Sequence, residues 1–268
     1  MHNAPGEFPI RRQTFNSFDL ARARAGVEPF RLHWFARLRS TNDHAAVLRK
    51  HGKLFAPAIV LTSHQTAGRG RGSHVWWSAA GGLTVTFVFP NDPQIAPHQV
   101  PLLAGLAARN AVAELLGDNG VQLKWPNDLL YGGKKLGGLL CERILKVDLV
   151  GLGINVNLDA NSAPKHLLGQ ITSMYSIAGR RFEMTDVLIA LSRHLHGTIS
   201  RGGERPFAEM LREYDAHHAL RGRMVSVTAG DGDPPLRGKC EGLDTMGRLL
   251  LRSRTKLHHI ISGQVASV

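Results

Sequence analysis

With 268 residues, 43% of them hydrophobic and 20% charged, the chain has the composition of a soluble globular protein with room for one sizeable domain and a smaller one. No run approaches the roughly 18 apolar residues that a membrane span requires, which excludes a helical membrane protein. The 33 basic residues against 21 acidic ones give +12, which invites a nucleic-acid or acidic-partner reading; the basic residues are scattered, which argues for a compositional bias or an acidic partner more than for a DNA-reading helix.

In chain order, residues 1–32 read as a surface extension with a short helix around Phe18 to Ala25. Arg11, Arg12, Arg22, Arg24 and Arg31 suggest a transit peptide, but Glu7, Asp19 and Glu28 oppose one. A strand over His33 to Leu38 opens the main domain, expected over 33–220. Ser40 or Thr41 then caps a helix to about Lys50, with Ala45, Ala46 and Leu48 inward and Gly52 ending it. Ala58 to Ser63 reads as a buried strand, and Leu83, Val85, Phe87 and Phe89 alternate with Thr84, Thr86 and Val88 in the next. The apolar, alanine-rich run Gln99 to Leu116 predicts a core helix, broken by Gly117 to Gly120.

Four strand-like runs follow, Val121 to Trp125, Leu129 to Tyr131, Leu136 to Ile144 and Val147 to Val156, with turns tight enough to predict antiparallel neighbours. Helices are expected at Asp186 to His196 and Phe207 to His218; their histidines, His194, His196, His217 and His218, form no ligand-like set. After Gly222, short β runs at Met224 to Thr228, Leu236 to Glu241, Arg248 to Arg252 and Leu257 to Ile261 predict a small separate barrel over 221–268. Cys141 and Cys240 lie far apart without Cys-x-x-Cys spacing and are expected to be free. With no cleavable apolar signal, a cytoplasmic location follows.

Three stretches depart from this regular pattern. Thr66 to Trp76 carries Gly68, Gly70, Gly72, Arg69, Arg71 and His74. Glycines admit close backbone approach and guanidinium forks match carboxylate or phosphate oxygens, so the stretch reads as an anion cradle, with a solvated turn as the plain alternative. It is neither a P-loop, since no Gly-Lys-Ser/Thr follows, nor a dinucleotide fingerprint, since Ser73 holds the third glycine position. Lys124-Trp125-Pro126-Asn127-Asp128 and Lys135-Leu136-Gly137-Gly138 place two lysines beside accessible backbone, fit for a phosphate or carboxylate, or else simply form hairpin turns. In Gly151-Leu152-Gly153-Ile154-Asn155, glycines within a strand mark close approach of something flat or a bulge, and Asn155 offers a donor and an acceptor to the edge of a base such as adenine.

Taken in order, Ser40-Thr41-Asn42, Gln65 through Arg71, Lys124 to Asp128, Lys135 to Gly138 and Gly151 to Asn155 resemble the bacterial biotin protein ligases, from about His33 to the end. The form resembled is the monofunctional one, without the DNA-binding domain of bifunctional members. The resemblance implies an α+β fold: a mixed, largely antiparallel sheet with flanking helices, of the class II aminoacyl-tRNA synthetase and biotin ligase type, plus a small C-terminal SH3-like β-barrel. It implies an AMP-forming biotin-[acetyl-CoA-carboxylase] ligase that uses ATP and Mg2+ and transfers biotin to a lysine of the biotin carboxyl carrier protein. Such a protein would be a monomer or weak homodimer, binding neither DNA nor membrane. The implied biotin or biotinyl-AMP site comprises Ser40, Thr41, Asn42, Gln65, Gly68, Arg69, Gly70, Arg71, Trp76, Lys124, Asn127, Lys135, Gly138 and Asn155, with Arg71, Lys135 and Asp128 catalytic. Two departures stand out: Ser73-His74, where family loops continue with Gly-Arg, and Gln264, where the family usually has a glutamate.

The chemistry fits these residue types. Biotin's carboxylate is ionised at neutral pH, so its attack on the α-phosphorus of ATP needs no general base, only two anions held together. Arg69, Arg71 and Lys135 would offset that charge, with magnesium near Asp128. Ser40, Thr41 and Gln65 would meet the ureido ring, while Asn155 and Trp76 face adenine. The acceptor lysine must lose a proton, and Asp128 is the candidate helper. The alternatives are a lipoate or octanoate ligase or transferase of the same superfamily, a nucleic-acid-binding regulator using the positive charge, and a non-catalytic biotin-binding module.

Overall fold

A computed structural model describes residues 17–200, 205–229 and 233–267. Arg11, Arg12 and Glu7 of the expected extension lie outside them. Asp19 caps the short helix α1 (Leu20–Gly26) by accepting from the Arg22 amide.

The β-branched run Ala58–Thr62 (β2) is buried throughout because helices cover both faces of its sheet. Ile59, Leu61, Val85 and Phe87 face one core; Ala58, Val60 and Val88 face another, roofed by Ala45. Strand β1 (Arg31–Phe35) pairs parallel with β2, starting and ending earlier than His33 to Leu38 because its register is set by Arg31 opposite Ala58. A parallel pair needs a crossover, supplied by α2 (Thr41–Lys50), whose N-cap Ser40 accepts from the Asp43 amide at 3.3 Å. Leu38 joins only through an isolated bridge to Gln65.

Strands β3 (Gly82–Pro90), β4 (Val121–Lys124), β5 (Asp128–Tyr131), β6 (Lys134–Ile144) and β7 (Val147–Asn155) complete a seven-stranded sheet in the order β1-β2-β3-β7-β6-β5-β4. Every pairing but β1·β2 is antiparallel, as the tight turns predict. The alanine-rich helix α3 (Val100–Leu116) lies in the larger core and ends on Gly117 in the left-handed region. A short α4 (Met174–Ala178), α5 (Met184–Leu195) with a following π-helical turn, and α6 (Phe207–Ala216) come next. Helix α6 stops short of His218 because the chain turns to pair with β4: the Leu123 amide donates to the His217 carbonyl and the Ala219 amide to Leu123, at 2.9 and 2.8 Å.

The second sheet runs β11-β10-β9-β8-β12, from β8 (Met224–Thr228), β9 (Leu236–Leu243), β10 (Leu249–Arg252), β11 (Leu257–Ile260) and β12 (Gln264–Ser267). Strand β12, unforeseen in the sequence, pairs antiparallel with β8. Val225, Val227, Leu249 and Leu251 join the core that contains α3 and α6. Both cysteines are free. Among the described residues no helix is long and apolar enough to cross a membrane.

Leu106 lies 2% exposed on α3. Leu106→Ala should therefore lower unfolding free energy by about 2–5 kcal/mol, read by urea denaturation; a cost within experimental error would contradict its place in the shared core.

Candidate active site

The site forms over the middle of the seven-stranded sheet, where two glycines of β7 allow side chains to lie on the backbone. A Cβ at Gly151 would overlap the Asn42 amide, and one at Gly153 the Trp76 indole. The flat group approaching this strand is thus the protein's own tryptophan.

The N-terminus of α2 brings Ser40, Thr41 and Asn42, each about 3–4% exposed, to one wall. Gln65 accepts from the Thr41 amide at 2.9 Å, and its own amide donates to Ser78 Oγ at 3.2 Å. Asn42 is fully engaged: Nδ2 donates to the Leu140 carbonyl and to Glu142, while Oδ1 accepts from Thr86 Oγ1 at 2.6 Å.

The loop is a small hairpin. The Trp76 amide donates to Gly68, the Gly70 amide to His74, and the His74 amide to Arg71, with Gly72 at φ +59 in the turn. Ser73 and His74 are therefore its tip. At Gly68 a Cβ would strike the Trp76 carbonyl. Two arginines leave the hairpin in different directions. Arg69 pairs through NH2 with Asp43 and Glu142, both at 2.8 Å. Arg71 donates through NH1 to the Gly263 carbonyl of the second sheet at 3.0 Å, and the Gln264 amide meets His74 Nε2 at 2.6 Å. Burial pushes the Arg71 guanidinium down from its ordinary range and Asp128 draws it back up; a guanidinium remains charged regardless.

Lys135 stands where the β5·β6 register shifts, an irregularity that re-aims a side chain. Its backbone is fixed between Gln170 and Thr172, its ammonium is 2.7 Å from Asp128 Oδ1, and it lies over the Trp76 ring at 5.8 Å. Asn155 is 4% exposed, and its amide nitrogen donates to the Thr172 and Lys135 carbonyls at 2.9 and 3.4 Å, so those donors hold the lysine segment. Trp125 is 2% exposed, its indole reaching the Gly247 carbonyl at 3.4 Å.

Two cavities meet at Trp76 and Lys135. The first is lined among others by Ser40, Thr41, Asn42, Gln65, Arg69, Gly70, Asn127 and Gly138. The second is lined by Val75, Trp77, Asn155, Leu167 and Ile171. Gly68, Arg71, Lys124 and Asp128 line neither. Glu142, Thr86, Asp43 and Trp77 were not foreseen as site residues, and no spacing or motif in the sequence marks them. Among the described residues, no group of three or more His, Cys, Asp or Glu could hold a metal ion.

The Biotin/lipoate A/B protein ligase family matches residues 34–159, and the Biotin protein ligase C terminal domain matches residues 222–266. The biotin--[acetyl-CoA-carboxylase] ligase of Paracoccus denitrificans is 30% identical over 228 residues, covering 81% of this chain and 92% of its own. The bifunctional ligase/repressor BirA of Bacillus subtilis (strain 168) is 30% identical over 218 residues, 77% of this chain, and the chain spans 65% of that relative's length. A structure of the biotin protein ligase from Aquifex aeolicus in complex with biotin and ATP has a TM-score of 0.77 at 27% identity, covering 88% of this chain and 97% of that one.

The packing of Trp76 on Gly153 is open to a direct check. Gly153→Ala should drive the indole off the strand and shift tryptophan emission while far-UV circular dichroism stays unchanged; unaltered emission would contradict the close approach.

Proposed function

The chain belongs to the biotin protein ligases, within the Biotin/lipoate A/B protein ligase family, and from that membership we propose that it joins biotin to AMP and passes the biotinyl group to a protein lysine. The observation that carries this reading is the pair of cavities meeting at Lys135 and Trp76. A reaction that condenses two ligands needs two adjoining sites with a cation at the seam.

The first cavity suits the biotin ring, with the Thr41 and Ser40 hydroxyls and Gln65 at its polar end and Leu139, Leu140 and Leu152 beside its apolar body. The second, walled by Trp76, Trp77 and Ile171, suits a flat base such as adenine. At the seam, a biotin carboxylate oxygen attacks the α-phosphorus and pyrophosphate leaves. Lys135 turns from Asp128 toward the developing phosphate charge, while Arg69 and Arg71 keep the anions near the hairpin. The triphosphate's magnesium supplies charge neutralisation when bound, and Asp128, a single carboxylate 21% exposed, is a fit partner for an ion that keeps most of its waters. In the second half, the acceptor amine attacks the acyl carbon, AMP departs, and Asp128 is placed to accept the amine proton.

We take residues 33–220 as the catalytic unit and 221–268 as its smaller companion. The acceptor in this reading is a biotin carboxyl carrier protein, as the name of the Paracoccus denitrificans relative suggests. The runner-up, a lipoate or octanoate ligase, draws on the breadth of the first family match; the match at residues 222–266 favours biotin. Pyrophosphate exchange should depend on biotin and not on lipoate, and the opposite preference would overturn the assignment.

Lys135→Ala should reduce biotin-dependent pyrophosphate exchange by about a hundredfold, the scale for losing one charge-stabilising donor; exchange at the unaltered rate would remove Lys135 from the chemistry. Arg71→Gly should speed escape of biotinyl-AMP by about ten- to a hundredfold, the range for one charge-assisted hydrogen bond. A dissociation rate equal to that of the parent protein would count against Arg71 as a holder of the adenylate.

A further inference from the structure

We infer that Glu142 is a positioning residue whose carboxylate sets the loop arginine Arg69 in place before ligand arrives; the ligand in this inference rests on the function proposed above. Glu142 lies on β6, two residues beyond Leu140, so both side chains face the same side of the sheet. Both of its oxygens accept from Arg69 NH2, at 2.8 and 3.0 Å, and Oε2 also accepts from Asn42 Nδ2 at 2.7 Å. One carboxylate thus joins the start of α2, the hairpin and β6.

An exposed arginine–carboxylate pair by itself contributes little, because water screens it and a long side chain must be ordered to form it. Glu142 differs because its other partner is immobile. Asn42 is 3% exposed and held at the Leu140 carbonyl, at Thr86 and against Gly151, which fixes Oε2 and with it the guanidinium. Asp43, next to Asn42, meets the same NH2 at 2.8 Å. Among the described residues the hydrogen bonds between Arg69 and Glu142 all run through Nη2, so the Nε and Nη1 side of the fork can receive an anion while Glu142 keeps its hold. Pre-placing the side chain removes an ordering cost from the binding step.

The experiment compares Glu142→Ala, Arg69→Ala and the double variant. In the ligand-free protein, Glu142→Ala should speed amide hydrogen exchange across residues 68–76, whereas exchange at the parent rate overturns the inference whatever the protein's ligand. With biotin, the KM should rise about three- to tenfold, the range for ordering one long side chain, while kcat changes by less than about twofold. In the Arg69→Ala background the same change should add nothing to KM; multiplying effects would overturn the inference. Glu142→Gln keeps the shape and an acceptor for Asn42 but loses the charge, so it should show the same pattern at smaller size even where alanine unfolds the protein. A parent protein without biotin-dependent exchange would remove the ligase reading, and the loop measurement would still decide the role of Glu142.

Discussion

Two side chains lie against β7 only because a methyl group is missing at each place, and the site is arranged around that contact. Asn42 reaches Leu140 and Glu142 across Gly151, and Trp76 covers Gly153. The first ties the crossover helix to the sheet. The second anchors the far end of the hairpin and forms the partition between the cavities. A glycine in a strand weakens it, and here the two weak points sit at the centre of the sheet, where β3 and β6 pair with β7 on either side and can bear it.

Positive charge in the site is matched closely by negative charge. Arg69 faces Asp43 and Glu142, Lys135 faces Asp128, and Arg71 spends a donor on a carbonyl while Asp128 acts on it from nearby. At Lys135 an incoming anion therefore exchanges partners with Asp128, whereas Arg69 keeps Glu142 and meets the anion with the other side of its fork. Half-exposed pairs of this kind are weak enough to exchange, since water already screens them. The chain's overall +12 is a separate matter, acting at longer range on encounter with charged partners.

How much could be read from the sequence depended on whether a residue's role was local. The capped helix from Ser40, the alternating strand through Phe87 and the alanine-rich helix ending at Gly117 follow from spacing and caps, and each stands where expected within a residue or two. Strand β12 did not, because four residues after a glycine carry too little periodicity to register. The motif residues Gln65, Arg69, Lys135 and Gly138 do line the first cavity. Lys124 does not, and Trp125 within the same motif turned out to be a buried anchor. Glu142 was invisible because its partners lie about 70 and 100 residues away, and nothing in Leu-Leu-Cys-Glu-Arg distinguishes a brace from a solvated face.

The arginine at the hairpin tip holds the second sheet by a main-chain oxygen, the carbonyl of Gly263. A carbonyl is present whatever side chain surrounds it, so this link depends on the path of the chain and not on its composition. The residue beside it, Gln264, adds a side-chain contact of its own, its amide meeting His74 Nε2 at 2.6 Å. For anyone building chimaeras, a transplanted second sheet has two conditions to meet: the turn before its last strand must follow the same course to reach Arg71, and apolar side chains must stand where Val225, Val227, Leu249 and Leu251 fill the shared core.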